Sequence, residues 1–66
     1  GNVKLEVFNV KGQKVKTLMN KEINAGSHTA LWNGFDEKGN NVVSGVYFYK
    51  LETKDYTETK KMILLK

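Results

Sequence analysis

A chain of 66 residues makes one domain near the lower limit for independent folding, where only roughly 60% of the unfolded surface is buried. Its 11 basic residues are all lysine and outnumber 7 acids for a net charge of +4. The arginine fork that grips phosphates and guanine edges is missing, and the lysines are dispersed between apolar residues, so a nucleic-acid partner is not expected. With no cysteine there is no disulfide and no thiolate metal site; no apolar run approaches the ~18 residues of a membrane helix, so no membrane insertion is expected either.

In chain order, Val3 to Phe8 alternates apolar and charged residues as a half-buried strand does, with Val3, Leu5 and Val7 facing inward. Asn9 to Gln13 is a turn in which Gly12 supplies a positive φ. A second strand from Lys14 to Met19 loses its alternation at Thr17-Leu18-Met19, which predicts a bulge or twist. Asn20 to Gly26 reads as a polar connection with Ile23 tucked under the sheet. Ser27 to Asn33 reads as a third strand, Ala30 and Trp32 sharing a face. A turn-rich loop, Gly34 to Asn41, precedes a short strand at Val42-Val43.

The stretch from Val46 to Thr53 is rich in β-branched and aromatic residues and free of Gly and Pro. It reads as the central strand, with Tyr47, Tyr49 and Leu51 on one face and Val46 and Phe48 on the other. Thr53-Lys54-Asp55 then forces a hairpin, returning the chain as Tyr56 to Leu65. The apolar run Met62-Ile63-Leu64-Leu65 implies burial on two faces or contact with something outside the chain. About five strands at even spacing and no helical period predict a small all-β, antiparallel sandwich of immunoglobulin or fibronectin III type as a single module over residues 1–66.

No constellation with catalytic spacing is present. His28 has neither a separated nucleophile nor an orienting acid, and reads as a structural or surface histidine. Glu6, Glu52 and Glu58 alternate with apolar residues as solvent-facing charges do, rather than as a paired-carboxylate site. Asp36 and Asn40, with Glu37 and Asn41, are the candidate hard-oxygen ligands for a cation such as calcium. Their spacing is not that of an EF-hand loop, and Asp before Gly-Asn is ordinary turn chemistry, so a turn is the favoured reading and no metal or cofactor is assigned. Trp32, Phe35, Tyr47, Tyr49 and Tyr56 would suit a sugar platform only if exposed, and most fall where a small sandwich needs its core. Phe35 and one tyrosine are the exposed candidates.

Three stretches carry a family resemblance: VKLEVFNVKGQKVKTL from Val3, AGSHTALWNGFDEKGNNVVSGVYFYKLET from Ala25, and the closing TKKMILLK. They resemble the type A C-terminal sorting domains of proteins exported by the bacterial type IX secretion system. They are equally similar to the immunoglobulin-like domain of the flagellar hook-capping protein, which shares Gly12, Gly26, Trp32, Asp36, Gly39 and Ser44-Gly45-Val46-Tyr47. The sorting-domain resemblance implies a non-catalytic module of a secreted or cell-surface bacterial protein, recognised by the export machinery of the outer membrane. Lys60, Lys61, Met62, Ile63, Leu64, Leu65 and Lys66 are then the expected partner-binding residues, and Trp32, Tyr47 and Tyr49 scaffold. It also implies that an N-terminal strand is lacking, Gly1 falling mid-domain. A sandwich short of a strand predicts a homo-oligomer through an exposed sheet edge, strand-swapped in one form. A carbohydrate-binding accessory module and a hook-capping assembly domain are the alternatives.

Overall fold

A computed structural model describes residues 1–22 and 31–65. The described residues form one antiparallel sheet of four strands: β1 (Asn2–Phe8), β2 (Lys14–Glu22), β3 (Gly45–Glu52) and β4 (Thr57–Leu64), in the order β2-β1-β3-β4. The all-β, antiparallel expectation therefore holds, and the arrangement matches one layer of an immunoglobulin-like sandwich. Most of the expected third strand, together with Ile23, His28 and Ala30, lies outside the described residues; its end at Leu31, Trp32 and Asn33 is not strand. Val42-Val43 is not a strand either, the loop being closed by a single bridge between Phe35 and Asn41.

The alternation in Val3 to Phe8 and in β3 places the sheet's two faces, because directly paired residues project to the same side. Leu5 pairs with Leu51 and Val7 with Tyr49, while Tyr47 pairs with Met62 across the β3/β4 seam. Val3, Leu5, Val7, Tyr47, Tyr49, Leu51 and Met62 thus share the core face. Val7 is fully buried and Tyr47 is 5% exposed. The other face carries Lys4, Glu6, Phe8, Phe48, Lys50, Lys61 and Ile63. Among the described residues the cover expected on both faces of β3 is uneven: on the outer face Phe48 is half-buried, but Val46 is exposed and its register partner Ile63 is 65% exposed.

Glu6 departs from its expected role as a solvent-facing charge. It lies on the outer face, yet is only 7% exposed. Lys4 and Lys14 each bring an ammonium to 3.7 Å from one of its two carboxylate oxygens, and Thr17 and Lys50 flank it in the neighbouring strands. Burying a carboxylate requires opposite charge or donors around it, and the strand-flanking lysines provide the charge.

The turns follow their local chemistry. Asn9 Oδ1 accepts from the backbone N–H groups of Lys11 and Gln13, and Gly12 takes φ 81°, a left-handed conformation costly for any residue with a Cβ. At the second hairpin Thr53 N–H donates to Tyr56 O at 2.8 Å, and Thr53 Oγ1 accepts from Asp55 and Tyr56 N–H. The expected irregularity in β2 is a register shift: Leu5 pairs with Met19 but Glu6 with Thr17, so Leu18 has no partner position; a second shift skips Val15. These are β-bulges, which bend an edge strand and spoil it for further pairing.

Candidate functional site

Two features stand apart from the plain sheet: an aromatic clasp with the loop that hangs on it, and the edge at β4, on which no other strand lies among the described residues. The clasp is built on Tyr47, near the start of β3. Trp32 meets it edge-on, ring centroids 5.1 Å apart and planes at 69°, the geometry in which one ring's positive edge faces the other's negative face. Both polar tips are satisfied by backbone. Trp32 Nε1–H donates to Phe35 O at 2.9 Å, and the Tyr47 hydroxyl donates to Val43 O at 2.7 Å. A tyrosine hydroxyl returning to a carbonyl a few residues upstream is the tyrosine-corner arrangement of immunoglobulin-like sandwiches.

The loop between them ties itself together and then ties down β2. Asp36 Oδ1 accepts from Lys38 and Asn40 N–H, both at 2.9 Å, and Asp36 N–H donates to Asn40 O at 2.9 Å. This is the turn use of Asp36; Asn40 serves it through backbone groups. Among the described residues no group of three or more His, Cys, Asp or Glu could hold a metal ion. Glu37 then reaches the bulged part of β2: its N–H donates to Val15 O at 3.1 Å, and its carboxylate accepts from Thr17 N–H. Glu37, a candidate cation ligand and turn residue by sequence, instead spends its carboxylate on the β2 backbone, a contact between positions 17 and 37 that has no local signature. Glu37→Ala is expected to lower stability by about 1 kcal/mol, the net worth of a charge-assisted bond at an exposed site. Chemical denaturation would read the loss.

The sugar-platform residues are not assembled for a ligand. Tyr47 is buried and Trp32 stands edge-on to it, while Phe35 is half-buried beside Asn41; Tyr56, 55% exposed, sits apart at the β3/β4 turn. A shallow open groove passes between Trp32, Leu31 and Asn33 on the loop and Lys16, Thr17 and Leu18 on β2. It carries no convergent set of polar side chains of the kind that fixes a small ligand.

The expected partner-binding run occupies the end of β4, and the pleat divides it. Lys60, Met62 and Leu64 project to the core face, Met62 and Leu64 half-buried. Lys61 and Ile63 lie on the other, where Ile63 is 65% exposed; Leu65, just past the strand, is 83% exposed. The run is therefore split between two faces, and among the described residues only its Met62 and Leu64 side is covered; Lys66 lies outside the described residues. Lys60 sits 3.2 Å from Glu58, and that hydrogen bond and charge raise its pKa above the ordinary 10.5. A raised folded value means that any contribution to stability is present below the ordinary lysine value and lost as pH climbs through the raised one. Lys60 is a full cation at neutral pH.

Comparison with known proteins decides the family. The model of the FlgD Ig-like domain matches residues 1–56. The chain belongs to the FlgD Ig-like domain family. No curated protein and no solved structure matches it. The FlgD Ig-like match spans β1, β2, the clasp loop, β3 and the β3/β4 turn, and leaves β4 outside it. Of the two resemblances in the sequence, it bears out the hook-capping one and does not extend to the sorting domains.

Proposed function

We propose that this chain is a non-catalytic assembly module of the flagellar hook-capping type, an immunoglobulin-like domain that holds its position among other protein subunits rather than transforming a substrate. The observation that carries this reading is the FlgD Ig-like match over residues 1–56. The use of the aromatic residues supports it: Trp32 and Tyr47 spend their polar groups on backbone carbonyls and so act as scaffold. The partners would be protein subunits outside the cytoplasm, at the cell surface. Cosedimentation of the chain with polymerised hook subunits tests the reading. Retention that survives added polysaccharide supports it, and a chain left in the supernatant at every ratio overturns it.

A second reading, a sorting module of a secreted protein recognised by type IX export machinery, is kept alive by one observation. The apolar residues Ile63 on β4 and Leu65 just after it are exposed outside the family match. In that reading Lys60 to Lys66 make the contact. A reporter fused to residues 1–66 should then be exported by a type IX host and retained when Met62 to Lys66 are deleted. Equal export of both fusions removes the reading.

A further inference from the structure

We propose that the free edge of β4 is a self-recognition surface, on which a second copy of this chain adds its own β4 antiparallel, with Thr59 at the two-fold axis. The inference rests on β4, outside the matched family region, and so stands apart from the functional reading above.

The two edges of the sheet are treated differently. β2 is broken by two register shifts and clasped by Glu37 at Val15 and Thr17, devices that stop another strand from docking. β4 keeps unbroken register with β3 over all eight of its residues, Gly45↔Leu64 to Glu52↔Thr57. Among the described residues no strand lies on its outer side.

Hydrogen-bond alternation identifies the groups facing outward. Thr53 N–H bonds Tyr56 O, so Thr53 and Tyr56 form a hydrogen-bonded pair. Every second pair after it is bonded in turn: Leu51↔Glu58, Tyr49↔Lys60 and Tyr47↔Met62. The backbone groups of Thr57, Thr59, Lys61 and Ile63 therefore point away from β3. An antiparallel copy must set outward residues against outward residues, which requires the two-fold axis to fall on a residue rather than between two.

Charge then selects the residue. With the axis at Thr59, Glu58 of each copy faces Lys60 of the other, Thr57 faces Lys61, and Tyr56 faces Met62. Glu58, Lys60 and Met62 lie on the core face, and Tyr56, two residues before Glu58, falls on it by alternation. That face would gain two cross-strand ion pairs flanked by two aromatic–thioether contacts. Moving the axis to Glu58, Lys60 or Lys61 sets like charges face to face. Thr59 is the one centre within β4 that places both Glu58 and Lys60 against unlike charge. So short an edge contact belongs with weak interfaces, forming as concentration rises and loosening as salt screens the pairs.

Sedimentation equilibrium over a wide concentration range, with charge variants, tests the proposal. The native chain should dimerise. Glu58→Lys or Lys60→Glu alone should weaken the dimer by about tenfold, since each turns two attractive cross-strand pairs repulsive. The double exchange Glu58→Lys with Lys60→Glu should restore it, because the pairs re-form with signs reversed. Thr59→Cys provides a readout in an otherwise native chain that has no cysteine of its own. At the axis the two Cα atoms lie ~5.5 Å apart, within disulfide reach, so mild oxidation should cross-link this variant much faster than Thr57→Cys. A native chain monomeric at its solubility limit, a double exchange that fails to restore the dimer, or equal cross-linking of the two cysteine variants would overturn the proposal.

Discussion

Tyr47→Ala is expected to cost about 3–5 kcal/mol, the usual range for removing a buried aromatic from a core. In a domain this small that removes most of the folding free energy. Tyr47 is one of the two buried apolar side chains among the described residues, the other being Val7. Its ring backs Trp32, and its hydroxyl anchors the chain at Val43. Removing it opens a cavity near the start of β3, against Trp32, and frees the loop at two points. Tyr47→Phe separates the two contributions: it keeps the ring and loses only the hydrogen bond to Val43, for about 1 kcal/mol. Urea titration followed by circular dichroism should give an unfolded or barely folded Tyr47→Ala and a cooperative, slightly weakened Tyr47→Phe. Equal losses in the two variants would mean that the hydroxyl, not the ring, is what matters.

Trp32→Ala is expected to cost about 2–3 kcal/mol, below the range for a fully buried tryptophan because Trp32 keeps part of its surface in water. It also deletes the bond from Nε1 to Phe35 O, which fixes the start of the loop whose far side carries Glu37 to β2. The damage should therefore travel from the core to the β2 edge. Amide exchange at Thr17, whose N–H is held by Glu37, is expected to quicken in Trp32→Ala, whereas exchange in the β3/β4 hairpin should follow global stability alone. Because Trp32 and Tyr47 touch, their alanine substitutions should be non-additive by about 0.5 kcal/mol or more. Strict additivity would show that the edge-on contact contributes nothing beyond the area each ring buries.

Where β1, β3 and β4 lie is written in local chemistry, whereas β2 runs on past the expected Met19 to Glu22 and the short strand expected at Val42-Val43 does not form. The alternation of Val3 to Phe8, the aromatic run from Val46, the Asn9-to-Gln13 turn and the Thr53-Lys54-Asp55 hairpin all appear within a residue or so of where they were read. The broken pattern at Thr17-Leu18-Met19 announced a bulge, and the register skips Leu18. Such signals survive because the pleat has a period of two and turn residues act on their own backbone. Asp36 belongs with them: its competing reading as a cation ligand used the same side chain that closes its own turn.

Other features depended on positions far apart in the chain. Glu6 alternates like a surface charge, and only Lys14 arriving from β2 beside Lys4 makes its burial tolerable. The apolar run Met62 to Leu65 reads as buried on two faces or touching something outside the chain, and only pairing with β3 shows which of its residues lie on which face, with Met62 and Leu64 half-buried and Ile63 exposed.

That the chain is all-β and antiparallel, and where its hairpins turn, is legible in the amino-acid order alone, because periodicity and turn chemistry are properties of neighbouring residues. It takes the folded chain to show that β1 sits between β2 and β3 and, among the described residues, that Glu37 closes one sheet edge while no strand covers β4 at the other, and that the buried apolar side chains Val7 and Tyr47 share one face. Those outcomes follow from pairings across tens of residues, whose register is chosen by the joint burial of Val7, Tyr47 and Trp32 rather than by anything a local window of sequence contains.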